Sequence, residues 1–210
     1  MKLNANGIVV QGPSTVIKMR CPTCLQRGTF EAIGSPDILL STESALVGQR
    51  RCPDTSCNSL IFFVFKAGKV AASYPAERID FDATDVPASV RAAIEEAITC
   101  HANQCFIASA IMVRKTLEEL CRDRGAQGNN LKERISALGT KVVLPAELLQ
   151  GLDDLRLLGN DATHIESHEY DKIGRDEVEV GIEFAKEVLK AVYQYSALLG
   201  RLRALKKGTT

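Results

Sequence analysis

Two cysteine pairs set among short β-rich pieces, and a helical period that takes over at Pro87, predict an α+β chain. The expected architecture is a small N-terminal β zinc ribbon followed by a four- to five-helix bundle. The expected boundaries are ribbon 1–75, connector 76–86 and bundle 87–210.

Composition sets the outer limits. The chain has 210 residues, 45% of them apolar and 25% charged, an ordinary globular balance. No apolar run approaches the ~20 residues that a membrane helix needs, so no membrane partner is expected. The start, MKLNANGIVVQG, has no long apolar stretch after a basic residue, so no secretory signal is expected. A cytoplasmic location follows, where seven cysteines serve as thiols or metal ligands rather than disulfides. Net charge is zero, with 26 basic and 26 acidic residues. Residues 1–66 hold seven basic side chains against four acidic ones, a local surplus of +3. That is far from the concentrated basic face of a strong nucleic-acid binder. If a polyanion is touched, the basic residues flanking the cysteine pairs are the candidates.

The elements follow in order. Short β-rich pieces fall at Ile8–Val10, Thr15–Met19, Ala45–Arg51 and Leu60–Lys66, separated by Gly, Pro and Ser clusters. Phe62, Phe63 and Phe65 in the last piece are suited to cover a small sheet. Residues 67–87 carry two prolines and no helical period, and read as extended. Pro87 suits a helix's first turn, and Val90, Ala93, Ile94, Ala97 and Ile98 then repeat at helical spacing. A second helix is expected from about Asn103 to Arg124. Asn130 followed by Glu133 is a start signal for a third over Leu131–Leu138. Pro145 opens a fourth through Leu148, Leu149, Leu152 and Leu155. The last helix, about Arg175 to Leu205, keeps one apolar stripe from Ile182 to Leu199. Helices of this number and length make a bundle.

The cysteines carry the most specific signal. Cys21-Pro-Thr-Cys24 and Cys52-Pro-Asp-Thr-Ser-Cys57 are two tight pairs separated by 27 residues. Two such knuckles at hairpin tips close a tetrahedral sulfur cage around zinc. Four thiolates leave no open coordination position, so the expected zinc is structural. The plain alternative is four unrelated buried thiols. Cys100, His101, Cys105 and Cys121 invite a second metal site, but they lie on apolar helices and are expected to be core residues. His101 is expected at a helix end or interface.

The segment LRLLGNDATHIESHEYD holds Arg156, Asn160, His164 and His168 at successive four-residue steps, with Gly159 weakening the helix between them. Three readings stand open. His164 is a general acid or base, with Arg156 clamping an anion and Asn160 orienting the reacting groups, a set suited to metal-free phosphodiester cleavage. Or His164 and His168 bind a metal, although position 165 is isoleucine where the zinc-protease motif needs glutamate. Or these polar side chains only cap helix ends and tie the bundle together.

Several pieces together resemble a known family: Cys-Pro-x-Cys, Tyr74-Pro75, Val90…Glu96-Ala97, Met112-x-Arg114-x-x-Leu117-Glu118, Leu131…Ile135, and Arg156-x-x-Gly159-Asn160-x-Ala162-x-His164. In this order and spacing, over about residues 20–200, the chain resembles the domain of unknown function 4145 family, itself similar to the helical bundles of the HEPN superfamily. The resemblance implies a prokaryotic, defence-type setting, association with RNA or another nucleic acid, and a homodimer formed through the bundle. Many HEPN-like proteins are metal-independent ribonucleases built on an arginine, a neighbouring polar residue and a histidine. On this chain Asn160 and His164 match the last two. Gly159 stands where the arginine would, with Arg156 one helical turn earlier. Arg114 and Glu118 match the family pattern and would pair on one helix or support His164. The implied alternative to catalysis is an adaptor, in which the bundle dimerises or docks on a partner effector protein. A transcription-type DNA binder lacks a basic recognition helix here.

Overall fold

The structure, a computed structural model, describes residues 3–161 and 173–207, without the side chains of 158–161 and 206–207. The chain divides into two compact units, Met1–Asp80 and Phe81–Thr210.

The first unit contains seven strands: β1 (Ile8–Gln11), β2 (Ile17–Arg20), β3 (Arg27–Phe30), β4 (Asp37–Leu40), β5 (Ala45–Arg51), β6 (Leu60–Lys66) and β7 (Lys69–Tyr74). Five form an antiparallel sheet in the order β1-β4-β5-β6-β7, and β2 with β3 forms a separate hairpin. The β5 and β6 bounds coincide with the expected pieces, whereas β3, β4 and β7 were not anticipated. β7 lies within residues 67–87, the stretch expected to be extended. Ala67 and Gly68, both at positive φ (51° and 77°), turn the chain back in a two-residue hairpin.

Alternation fixes the core of this unit. Ile17 and Met19 of β2 and Phe30 of β3 pack against Leu46, Ile61 and Phe63 of the sheet, with Cys21 and Cys52 at the end of the cluster. One ion pair lies inside. Arg50 and Asp37 are 1% and 0% exposed and meet in two parallel hydrogen bonds of 2.8 and 2.7 Å. Arg50 also donates to the carbonyls of Thr15 and Gln49 and lies 4.8 Å from the Phe63 ring centroid. A Cβ on Gly48 would strike the Asp37 carboxylate, so glycine there makes room for the pair.

The second unit is helical: α1 (Ala88–Ala102), α2 (Phe106–Asp123), α3 (Leu131–Leu138), α4 (Ala146–Asp161), α5 (Arg175–Leu189) and α6 (Tyr195–Lys207). The α1 stripe is buried as its spacing predicts. The Ser109 hydroxyl donates to the Ala97 carbonyl at 2.7 Å, pinning α2 closely against α1. Asn130 caps α3 by accepting from the Glu133 N–H, and Glu133 reaches back to the Asn129 N–H. A Cβ on Gly151 would enter the Phe184 ring, so glycine sets the approach of α4 to α5.

The expected single last helix is instead α5 and α6 joined by a π turn over Lys190–Gln194. The wider turn buries Val192 and Tyr193 side by side and lets the Tyr193 hydroxyl donate to Asp123 at 2.9 Å. Beyond it, Tyr195, Leu198, Leu199 and Leu202 are 49–54% exposed. Among the described residues no helix is long and apolar enough to cross a membrane.

Replacing Asp37 with alanine leaves a buried, uncompensated guanidinium and is expected to destabilise the first unit by about 3–5 kcal/mol. Denaturant titration followed in that unit measures this. Replacing Asp37 and Arg50 together with apolar residues is expected to cost less than Asp37→Ala alone.

Candidate metal centre

The two cysteine knuckles occupy the tips of two hairpins. Cys21 and Cys24 lie between β2 and β3, and Cys52 and Cys57 between β5 and β6. The backbone makes similar turns at both. Leu25 N–H donates to the Cys21 carbonyl at 3.0 Å, and Asn58 N–H donates to the Asp54 carbonyl at 2.9 Å. Leu25 and Asn58, each directly after the second cysteine of its pair, take positive φ (62° and 49°) and turn the chain away from the sulfurs. Asp54 braces the second knuckle by accepting from the Ser56 hydroxyl and N–H, which holds its carboxyl below the usual range. The two tips touch across Gly28: a Cβ there would lie 2.7 Å from Cγ of Pro53.

All four Sγ atoms lie within 4.8 Å of one another. Cys21 Sγ is 3.8 Å from Cys57 Sγ, and Cys24 Sγ is 3.7 Å from Cys52 Sγ. A disulfide would need about 2.05 Å. The edge of a tetrahedron with Zn–S bonds of about 2.3 Å is roughly 3.8 Å, which these separations match. Both of these pairs join one knuckle to the other, so the four sulfurs form a single group. Cys21 and Cys52 are buried, and Cys24 and Cys57 half-buried. Burial, with the neighbouring sulfurs, pushes the Cys52 thiol up to about 12. A bound metal therefore has to displace its proton. The quartet fits a closed structural site, and among the described residues it is the only group of three or more potential ligands so placed.

The other candidate residues are distributed less compactly. Arg156 sits on α4 with its side chain 15% exposed, and its Nε donates to Asp153 Oδ1 at 2.7 Å. The Arg156 carbonyl accepts from Arg114 of α2 at 3.4 Å, and Arg114 Nε pairs with Glu118 at 3.4 Å. The structure thus brings Arg114, Glu118 and Arg156 together across α2 and α4. Asp153, which the sequence pattern does not single out, holds the Arg156 guanidinium; its signal is the three-residue spacing. Asn160 lies on α4 one turn beyond Arg156, with its side chain outside the description. His164 and His168 lie outside the described residues.

Of the supposed core thiols, Cys121 is buried, Cys100 half-buried and Cys105 exposed. The Cys105 expectation fails because α1 ends at Ala102, and Cys105 falls in the junction before α2. His101, in the last turn of α1, is 3% exposed, its ring centroid 5.8 Å from that of Phe106. Burial lowers its pKa. Four of the seven basic residues in 1–66 are also spoken for, through the pairs Arg20–Asp80, Arg50–Asp37, Arg51–Glu31 and Lys66–Glu43.

A family model described as Domain of unknown function (DUF4145) matches residues 95–207, from within α1 to the end of α6. The chain belongs to this family. The DUF4145 match leaves the cysteine-bearing unit outside it. No curated protein and no solved structure matches the chain.

Elemental analysis of the purified protein is expected to give one zinc per chain, and Cys52→Ala none. Acidification is expected to release the ion as the thiolates reprotonate. Chelation is expected to unfold the ribbon while leaving the helical signal of the DUF4145 unit, read by far-UV circular dichroism.

Proposed function

We propose that the protein is a non-catalytic adaptor. The zinc-stapled ribbon presents one contact surface, and the DUF4145 bundle self-associates through its last helical rod. The carrying observation is the outer face of that rod. Val180, Tyr195, Leu199 and Leu202, with half-buried Ala191 between them, recur along it, opposite the buried stripe of Val178, Ile182, Ala185, Leu189 and Tyr193. Val180 is 69% exposed. An apolar strip of this length in water marks an interface.

Charge selects a second copy as the occupant. On α5 the strip is flanked by Asp176, Glu179, Glu183 and Glu187. α6 carries Arg201, Arg203, Lys206 and Lys207 and no acidic residue. Antiparallel pairing of two rods about a two-fold near Ala191 sets Val180 against Leu202 and Glu179 against Arg203. Each contact occurs twice, as a closed dimer requires. On the ribbon, an open groove of about 410 Å³ lined by Ile38, Val47, Phe62, Val64 and Tyr74 is the surface offered to a partner effector protein. Zinc's part is to hold the hairpins that carry this sheet.

The competing reading is a metal-independent ribonuclease using Arg156, Asn160 and His164. The Arg156–Asp153 pair weighs against it, because a phosphate clamp needs a guanidinium free to meet an anion.

Sedimentation is expected to show a dimer for the wild type and a monomer for Leu199→Glu with Leu202→Glu. Arg203→Glu is expected to weaken the dimer several-fold, and adding Glu179→Arg to restore it. Failure of that rescue removes the proposed pairing. Mixed RNA incubated with chelator is expected to survive the wild type and His164→Ala equally. Cleavage by the wild type that His164→Ala abolishes would establish the nuclease instead.

A further inference from the structure

The end of α1 is closed by a pair of backbone bonds with a particular consequence for side chains. The Cys105 N–H donates to the Cys100 carbonyl at 2.9 Å, and the Gln104 N–H donates to the His101 carbonyl at 2.9 Å. Gln104 takes φ 63°, the left-handed turn that this motif requires. Such a closure places the side chain two residues beyond the cap beside the one three residues before it, where proteins usually seat two apolar groups. Here both positions are cysteine. The Cys105 carbonyl in turn accepts from Ser109 N–H at 2.9 Å in the first turn of α2, so Cys105 is held from both sides.

The two thiols differ in their surroundings. Cys105 is exposed, its Sγ 3.7 Å from the Asn103 carbonyl. Cys100 is half-buried, and burial, then the nearby Cys105 and Glu96, raise its pKa. The influence of Cys105 on Cys100 is what neighbouring thiols exert. Of the remaining cysteines, Cys121 is sealed in the core, and the other four are the metal candidates. The junction between α1 and α2 is therefore where an oxidant in solution meets a pair of thiols.

We infer that Cys100 and Cys105 form a dithiol that a low-molecular-weight disulfide converts into an intrachain disulfide. Cys105, as thiolate, attacks one sulfur of the reagent, whose S–S bond breaks and releases one thiolate. A mixed disulfide on Cys105 results. Cys100 then loses its proton and attacks Cys105 Sγ, expelling the second reagent thiolate. Two protein thiols have given up two electrons. The reagent has gained them, and the two protons released end on its two thiols. The exposed group acts first because thiolate access controls the rate, and the half-buried one resolves. The new bond closes a six-residue ring across the Gln104 turn and fixes the α1–α2 junction in the conformation seen here.

Zinc-loaded protein is incubated with oxidised glutathione, and the peptide 92–114, which holds both cysteines, is mapped by tandem mass spectrometry. The expected product is that peptide lighter by two hydrogen atoms, with its sulfurs linked and zinc retained. Cys100→Ser is expected to stop at a glutathione adduct on Cys105, and Cys105→Ser to react at least tenfold more slowly. Circular dichroism confirms that both variants fold. A stable adduct on the wild type without ring closure overturns the inference. So does oxidation confined to the metal quartet, with residues 92–114 still reduced.

Discussion

The first unit depends on one constraint: four sulfur atoms from two hairpin tips must share a space about one ion wide. Neither hairpin has the means to hold itself. β2 and β3 are four residues each, and the apolar cluster against the larger sheet is eight residues including two of the cysteines. A unit this small buries a modest fraction of its chain, so a metal or another cross-link is the usual supplement. Sulfur separations of 3.7 and 3.8 Å between knuckles show the geometry already at the tetrahedral edge. Gly28 and Pro53 explain how the tips come so close: one residue gives up its side chain so that the other can lie against it.

Charge in that unit is used internally. The Arg50–Asp37 pair is sealed, and partial compensation comes from the Thr15 and Gln49 carbonyls and the Phe63 ring. Such a pair specifies register more than it stabilises, since an apolar replacement of the same volume serves stability equally well. Here it ties β4 to β5 and to Thr15, two residues before β2. With Arg20, Arg51 and Lys66 also paired, the small basic surplus of the sequence does not become a basic face. The open sheet presents Phe62 and Tyr74 instead, 48% and 75% exposed.

Legibility in the sequence followed the strength of local chemistry. The knuckles, β5, β6 and α3 were readable because Cys-Pro, runs of β-branched and aromatic residues, and an Asn-to-Glu cap act over a few residues. β3 and β4 were not, because RGTF and DILL gain their strand character only from partners across the sheet. β7 was lost because Ala-Gly is a weak hairpin signal beside Asn-Gly, and small residues after it resemble a linker. The π turn is invisible to a 3.6-residue period, which passes through Lys190–Gln194 with its apolar positions merely shifted. At the polar cluster Arg156 is legible and Asp153 is not, since an acid–base pair three residues apart on an amphipathic helix is common and does not stand out from a solvated face.

The π turn also bears on why α6 lies where it does. A regular helix would carry its buried face onward and keep α6 against the bundle. One wider turn seats Tyr193 on Asp123 and under Arg124, whose guanidinium carbon is 4.1 Å from the ring centroid. Gln194 donates to the Asp82 carbonyl at 2.9 Å. Those contacts spend the rod's inward face at its midpoint, so the residues that follow present leucines to solvent. Four leucine and tyrosine side chains left half in water are a standing free-energy cost, at about 25 cal/mol for each Å² of apolar surface. That exposed strip is the surface which the proposed pairing of two rods would cover. In the proposed dimer the acidic flank of α5 and the basic run of α6, reversed in a second copy, would supply that cover, with Glu179 set against Arg203.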